Sequence, residues 1–213
     1  VAIAILSLTI LAFIANSTAA QGASANPTQV HVGVWLVNVE KVDLSANSYR
    51  LDFYLWFRFN PSEISIEEIK NFEFINGAPT KYEVKADEAA GYLEYRVRGD
   101  FINSFDFSNY QFETHELTVE IEHKTLDSSQ LIFEGAVDSN IDPEASVSGW
   151  TLEGFRTKIR EHSYGDDTYS RFVFSVDLNR PALSSFIKSV LPVAIITTIS
   201  LLAFFMSPQN FAQ

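Results

Sequence analysis

Two stretches decide the fold class: Val30-His31-Val32-Gly33-Val34-Trp35-Leu36 and, after a break at Ser45 to Ser48, Leu51-Asp52-Phe53-Tyr54-Leu55-Trp56-Phe57-Arg58-Phe59. Val30, Val32, Val34 and Leu36 share one parity, and so do Leu51, Phe53, Leu55, Phe57 and Phe59. Successive side chains of a strand point to opposite faces, so two period-two apolar runs bounded by Ser/Asn clusters predict two antiparallel strands joined by a short loop. Working outward, the same pattern predicts strands over Phe72–Ile75, Lys81–Ala86, Tyr92–Val97, Leu117–His123, Leu131–Val137, Thr151–Arg160 and Tyr169–Leu178. Turn signals separate them at Asn76-Gly77, Ala90-Gly91, Asp127 to Ser129, Asp142-Pro143 and Tyr164 to Asp167. The fold class is therefore all-β, a β-sandwich of about nine to ten antiparallel strands of immunoglobulin-like kind. A single helical patch, Ser62 to Asn71, interrupts it, with Ser62 as its expected cap; the alternation of Ile64, Ile66 and Ile69 is ambiguous and leaves a short helix and a single turn both open.

Both ends of the chain are apolar. Residues 1–25 read as a signal peptide: Val1 to Ala20 is rich in small and apolar residues, and Ala23-Ser24-Ala25 fits an A-x-A cleavage site. The other reading is a buried or membrane helix. Residues 181–206 read as a transmembrane α-helix, built on Ser189 to Met206 with Leu183, Phe186 and Ile187 upstream and Lys188 as its one charge. A bilayer core of about 30 Å needs around 20 such residues. Pro192 falls inside, where Thr197, Thr198 and Ser200 are expected to re-satisfy the backbone. Residues 207–213 follow it as the start of a loop. This places the chain in a cell membrane, in contact with lipid, with residues 26–180 as an extracellular or periplasmic domain.

That domain carries nearly all of the charge, and the chain's formal net charge is -12. An acidic surface argues against nucleic acid, which rewards Lys/Arg-rich faces, and suits cations or protons. There is no cysteine, so neither disulfides nor thiolate chemistry arise. The sequence contains no G-x-S-x-G, P-loop, H-E-x-x-H or Gly-rich phosphate loop. Its four histidines, His31, His115, His123 and His162, lack metal-ligand spacing, and Glu120 with Glu122 reads as an exposed strand face. We therefore expect no enzyme, no metal and no cofactor. Aromatic side chains on the inward parity read as core. Tyr164 and Tyr169, flanking Gly165-Asp166-Asp167 at a hairpin tip, have no core to fill and read as binding residues.

Four stretches together resemble the pentameric ligand-gated ion channels, and specifically their cysteine-free prokaryotic members. Gly33-Val34-Trp35-Leu36 through Asp43 to Phe53-Tyr54-Leu55 resembles the family's first two strands and their loop. Asp106-Phe107-Ser108-Asn109-Tyr110-Gln111-Phe112-Glu113-Thr114-His115-Glu116-Leu117 resembles its signature loop, with Gln111 where proline is usual and Glu113 where aspartate is usual. Gly149-Trp150-Thr151-Leu152 resembles the start of the strand leading to the capping loop. Phe172 to Arg180, followed by Leu191-Pro192 and Ile199-Ser200, resembles the last strand, the pre-membrane arginine and the first membrane helix.

The resemblance implies a homopentamer of identical subunits, with a small-molecule agonist held in the cleft between neighbours. Phe72, Phe74, Asp138, Tyr164 and Tyr169 would line one side, and Phe59 with Tyr92 or Tyr95 the other. Aromatic rings beside a carboxylate suit an amine or quaternary cation. Protons are the rival agonist, since carboxylates and His115 stand near the coupling loop. Arg180, at the border of strand and membrane helix, calls for a carboxylate partner. Glu113 is the natural candidate, and the resemblance adds Asp43 as a second acid and Phe112 to the same gating cluster. The simpler reading of Arg180 is snorkelling to lipid phosphates. A single-pass, membrane-anchored β-sandwich sensor or adhesin is the alternative to the channel as a whole.

Overall fold

A computed structural model describes residues 26–105 and 114–205. The expected signal peptide, most of the signature loop with Phe112 and Glu113, and residues 206–213 lie outside the described residues. The elements in order are β1 (Thr28–Asp43), β2 (Ser48–Phe59), α1 (Ile66–Ile69), β3 (Phe72–Phe74), β4 (Thr80–Asp87) and β5 (Tyr92–Ile102). They continue with β6 (Thr114–His123), β7 (Leu131–Gly135), β8 (Asn140–Ile141), β9 (Thr151–Tyr164), β10 (Asp167–Asn179) and α2 (Ala182–Phe205). The described chain is mostly strand, arranged in two sheets and followed by one apolar helix, as the alternation predicts. The first sheet runs β4-β5-β2-β1-β7 with β8 also on β1, and the second runs β3-β6-β10-β9.

The β1–β2 register pairs Val30 with Phe59, Val32 with Phe57 and Val34 with Leu55, so both apolar parities meet on one face. The connecting loop turns at Asn47, whose φ of 49° lies in the left-handed region that Asn tolerates. Asn47 also anchors the loop. Its carbonyl accepts from the Asn103 N–H at 3.1 Å, and its side-chain oxygen accepts from the Phe105 N–H at 3.3 Å. Register shifts between Leu36 and Asn38 and between Val39 and Lys41 break the simple alternation of β1 and bring Val39 into the core.

The expectation of antiparallel strands throughout needs one correction. β1 pairs in parallel with β7, from Thr28 opposite Leu131 to Val32 opposite Gly135, and with β8 at Trp35 opposite Asn140. The chain passes through β6 in the second sheet before returning as β7, so no hairpin dictates the direction of the return.

Buried residues of both sheets form one cluster: Val32, Leu36, Phe53 and Phe57 from the first, with Val119, Ile121, Phe172 and Phe174 from the second. A polar bridge crosses it. The Tyr49 hydroxyl accepts from the Thr118 N–H at 3.0 Å and donates to the Thr118 carbonyl at 2.7 Å, while Asn76 Nδ2 donates to the same carbonyl at 3.0 Å. Burial pushes the Tyr49 phenol up to about 12.

Within the helical patch only the single turn α1 forms, the shorter of the two readings, and its cap is Ser65 rather than Ser62. The Glu68 N–H donates to Ser65 Oγ at 3.3 Å, and Ile66 and Ile69 are buried. Ser62 instead hydrogen-bonds Asn60.

β10 ends two residues before α2, with only Arg180 and Pro181 between them. Within α2, Ile187–Phe205 is long and apolar enough to cross a membrane, and none of this span is buried in the chain. Thr197, Thr198 and Ser200 donate to the carbonyls of Val193, Ala194 and Ile196, one turn back in their own helix. They therefore do not serve the carbonyl that Pro192 leaves without its usual donor, the role the sequence suggests for them.

Candidate functional site

The residues singled out from the sequence divide into a core group and two surface clefts. Phe72, at 1% exposure, has ring centroids of Phe57, Phe74 and Tyr95 within 4.8 to 5.6 Å. Phe59 and Tyr95 are buried as well, and Phe74 packs edge-on against Phe53 and Phe101. The cause is parity: in β3, Phe72 and Phe74 turn inward and Glu73 turns out. At the rim of this group a cation is already in place. Lys81, on the edge strand β4, holds its Nζ 4.0 Å from the Phe72 ring centroid and 5.4 Å from that of Tyr95. Burial, and after it the Lys124 charge, lower the affinity of this amine for its proton.

Tyr164 and Tyr169 do come together. Their ring centroids are 5.9 Å apart at the tip of the β9–β10 hairpin, which turns through Gly165 at φ 66°. They line a cleft of about 340 Å³ with Glu73, Glu122, His123 and Lys124. Asp167 completes the lining. Arg171 forms part of the supporting network: its Nε donates to Glu122 at 2.6 Å, one terminal nitrogen to Glu120 at 2.9 Å and the other to the Tyr164 hydroxyl at 3.0 Å. Glu122 is only 2% exposed. Burial and the nearby Glu122 charge raise the Tyr164 phenol above its ordinary value. His123 Nδ1 accepts the Leu126 N–H at 2.9 Å, which leaves Nε2 facing the Glu68 carbonyl, also at 2.9 Å.

Carboxylates exceed cations in this cleft. Glu73 stands directly opposite Glu122 across β3 and β6, a like-charge pair that a strand pairing ordinarily avoids. Arg171 compensates the Glu122 member of that pair. Among the described residues no group of three His, Asp or Glu side chains is placed to hold a metal ion. Two tyrosine rings beside Glu73 and Asp167 are groups that suit an organic cation.

Tyr92 and Asp138 meet elsewhere, in a cleft of about 410 Å³ on the outer face of the first sheet, with Trp35, Tyr54, Trp56 and Arg58. Arg58 grips both Asp138 oxygens, at 2.9 and 2.6 Å, and holds that carboxyl below its usual range. The sequence reading places Asp138 beside Tyr164 and Tyr169; the parallel β1–β7 pairing carries it to Tyr92 instead. Burial and then Glu94 push the Tyr92 phenol up to about 12.

At the end next to α2, the Arg180 guanidinium lies 4.6 Å from the Trp150 ring centroid. Trp150 in turn meets His115 at 5.4 Å, and His115 meets Phe105 at 4.9 Å. Asp43 accepts hydrogen bonds from Ser45 Oγ at 2.7 Å, Lys41 Nζ at 2.9 Å and the Ala46 N–H at 3.2 Å. Led by the Ser45 hydroxyl, these bonds lower its pKa to about 2.

Sequence reasoning missed Glu73, Glu122 and Asp167 in one cleft and Trp56 and Arg58 in the other. All but Asp167, which follows the hairpin turn, lie on the parity opposite to the apolar run, and that was the available signal. No family model matches the chain, and no curated protein matches it.

Proposed function

We propose that the chain is the ligand-binding head and first membrane helix of a pentameric ligand-gated ion channel subunit, facing the extracellular or periplasmic side. The head is a β-sandwich of immunoglobulin-like kind, identical subunits assemble around a pore, and an organic cation is the agonist. One observation carries the reading. The hairpin that holds Tyr164 and Tyr169 over a carboxylate-rich cleft continues as β10 through Arg180 directly into α2. Ligand contacts at one end of a single strand can therefore act on a membrane helix at the other. Arg180, Asp43 and the signature-loop residues Phe112 and Glu113 form the coupling cluster in this reading, and the resemblance of the four sequence stretches supports it.

The test is current recorded from the protein expressed from its whole coding sequence, across a panel of primary and quaternary amines and a pH series. We expect amine-evoked current that Tyr169→Ala abolishes while surface expression is kept. Current evoked by protons alone replaces the amine as agonist. Silence to both, with a monomer rather than a pentamer in native mass spectrometry, refutes the channel and favours a single-pass sensor or adhesin.

A further inference from the structure

The second sheet ends on a free edge. β9 closes the order β3-β6-β10-β9, and among the described residues it pairs with β10 alone. Its far side therefore presents a row of backbone N–H and C=O groups, a template on which a further strand can add. From Tyr164 back to Gly154 its register with β10 runs without a shift, and every residue from Lys158 to Tyr164 is exposed. The edge strand β4 of the first sheet shows the contrast: its register breaks between Glu83 and Lys85, and such a bulge spoils an edge as a template.

The side chains narrow what can add there. On the outer face Arg156, Lys158 and Arg160 follow one another at alternate positions. The acids of that face are already held, Glu116 and Asp177 by Arg156, and Glu120 and Glu122 by Arg171. Lys158 only adds to the field that Arg156 exerts on Glu116, and Arg160 stands directly opposite Arg171. Neither forms an ion pair among the described residues. On the inward face Thr157 approaches Gly135 of β7, while Ile159, two residues on, is 40% exposed at the rim of the sandwich. Successive side chains of an added strand point to opposite faces, so its outward residues meet two cations and its inward ones meet Ile159. A second copy of β9 does not fit. Antiparallel pairing about a two-fold axis sets even-numbered residues opposite even-numbered ones, and so Arg156, Lys158 and Arg160 among themselves.

We infer that the free edge of β9 is a docking site for an extended segment of another protein in which acidic and apolar residues alternate, added as a fifth strand of the four-stranded second sheet. Backbone pairing holds the segment, Lys158 and Arg160 select its acids, and Ile159 takes an apolar side chain between them. The site stands independently of the channel reading. The probe is a fluorescent heptapeptide of alternating glutamate and valine with blocked ends, titrated with the full chain in detergent at low salt and followed by anisotropy. One control peptide carries lysine in place of glutamate. The other is the acidic peptide with two successive central amides N-methylated, which removes an N–H from the pairing side whichever side that is.

We expect saturable binding of the acidic peptide, none of the lysine peptide, and at least about fivefold weaker binding of the N-methylated one, the value of one lost hydrogen bond. The double variant Lys158→Glu/Arg160→Glu, changed at two exposed positions, should bind the acidic peptide at least about tenfold more weakly. Bound peptide should also slow hydrogen exchange at the amides of β9. No binding of the acidic peptide, equal binding of either control, unchanged affinity in the double variant, or unaltered exchange along β9 would each overturn the proposal.

Discussion

Replacing Arg171 by Met leaves the acids at the hairpin cleft without their cation, and the structure sets the size of the effect. Three hydrogen bonds disappear, to Glu122 at 2.6 Å, Glu120 at 2.9 Å and Tyr164 at 3.0 Å. Glu120 keeps 19% of its side-chain surface and retains some water, but Glu122 keeps only 2% and is left as an uncompensated buried charge. Breaking a buried pair in this way costs about 3–5 kcal/mol, and the hydration of Glu120 places this case near 3 kcal/mol. With a urea dependence of about 2 kcal/mol per molar, the unfolding midpoint falls by about 1.5 M. The assay is urea unfolding of the full chain in detergent, followed by far-ultraviolet circular dichroism. The double variant Arg171→Met/Glu122→Gln removes the stranded charge and should recover at least about half of the loss. A single variant within about 0.5 kcal/mol of the parent, or a double variant no more stable than the single, refutes the argument that Arg171 is held by charge compensation.

Stability also falls at high pH through Tyr49. Its folded-state pKa of about 12 exceeds the ordinary 10, so above pH 10 the unfolded chain loses the proton first, and about 2–3 kcal/mol is lost between pH 10 and 12; Tyr49→Phe should abolish that part of the pH profile. Gly33→Ala drives a methyl into the Trp56 ring and should destabilise by about 1–3 kcal/mol, with a change in tryptophan emission. Ser65→Ala removes the cap of α1 and should cost about 1 kcal/mol in the same urea assay. At the β1–β2 loop, Asp43 stays ionised down to about pH 2; hydrogen exchange at Ala46 should accelerate, relative to neighbouring amides, only as pH falls through that value.

The alternation of Val30 to Leu36 and Leu51 to Phe59 was legible because each strand has one fully buried face, and a buried face constrains every second residue. The hairpin carrying Tyr164 and Tyr169 was legible for the converse reason, since two tyrosines beside Gly165 cannot all be core. The choice between Tyr92 and Tyr95 was open to parity alone: three residues apart on one strand, they face opposite sides, and Tyr95 faces the core. Phe72 and Phe74 mislead when aromatic content is read as binding, because in Phe-Glu-Phe the acid is the outward group. Two features were out of reach. Asp138 joins Tyr92 only through a parallel pairing between segments about a hundred residues apart, and the burial of Trp56 depends on Gly33 lying opposite it in register.

The same strand register bears on how a signal would travel. β10 is paired on both sides, with β6 from Phe172 to Asn179 and with β9 along its length. At about 3.3 Å per residue, its thirteen residues span roughly 40 Å from the cleft to α2. A strand so held does not bend freely in its middle, and the one irregularity in its pairing with β9 falls between Asp177 and Leu178, next to the α2 end. There Arg156 ties Asp177 to Glu116, joining all three strands, and the Trp150 ring lies beside Arg180 one step further on. Displacement of the hairpin tip therefore reaches α2 largely as movement of this clamp. Arg156→Gln would remove this side-chain clamp, leaving the backbone ladders and the cleft untouched. Under the proposed channel function, ligand affinity should then be unchanged, while the current evoked at saturating ligand should fall. Equal losses in both would show that β10 does not carry the signal as a rigid element.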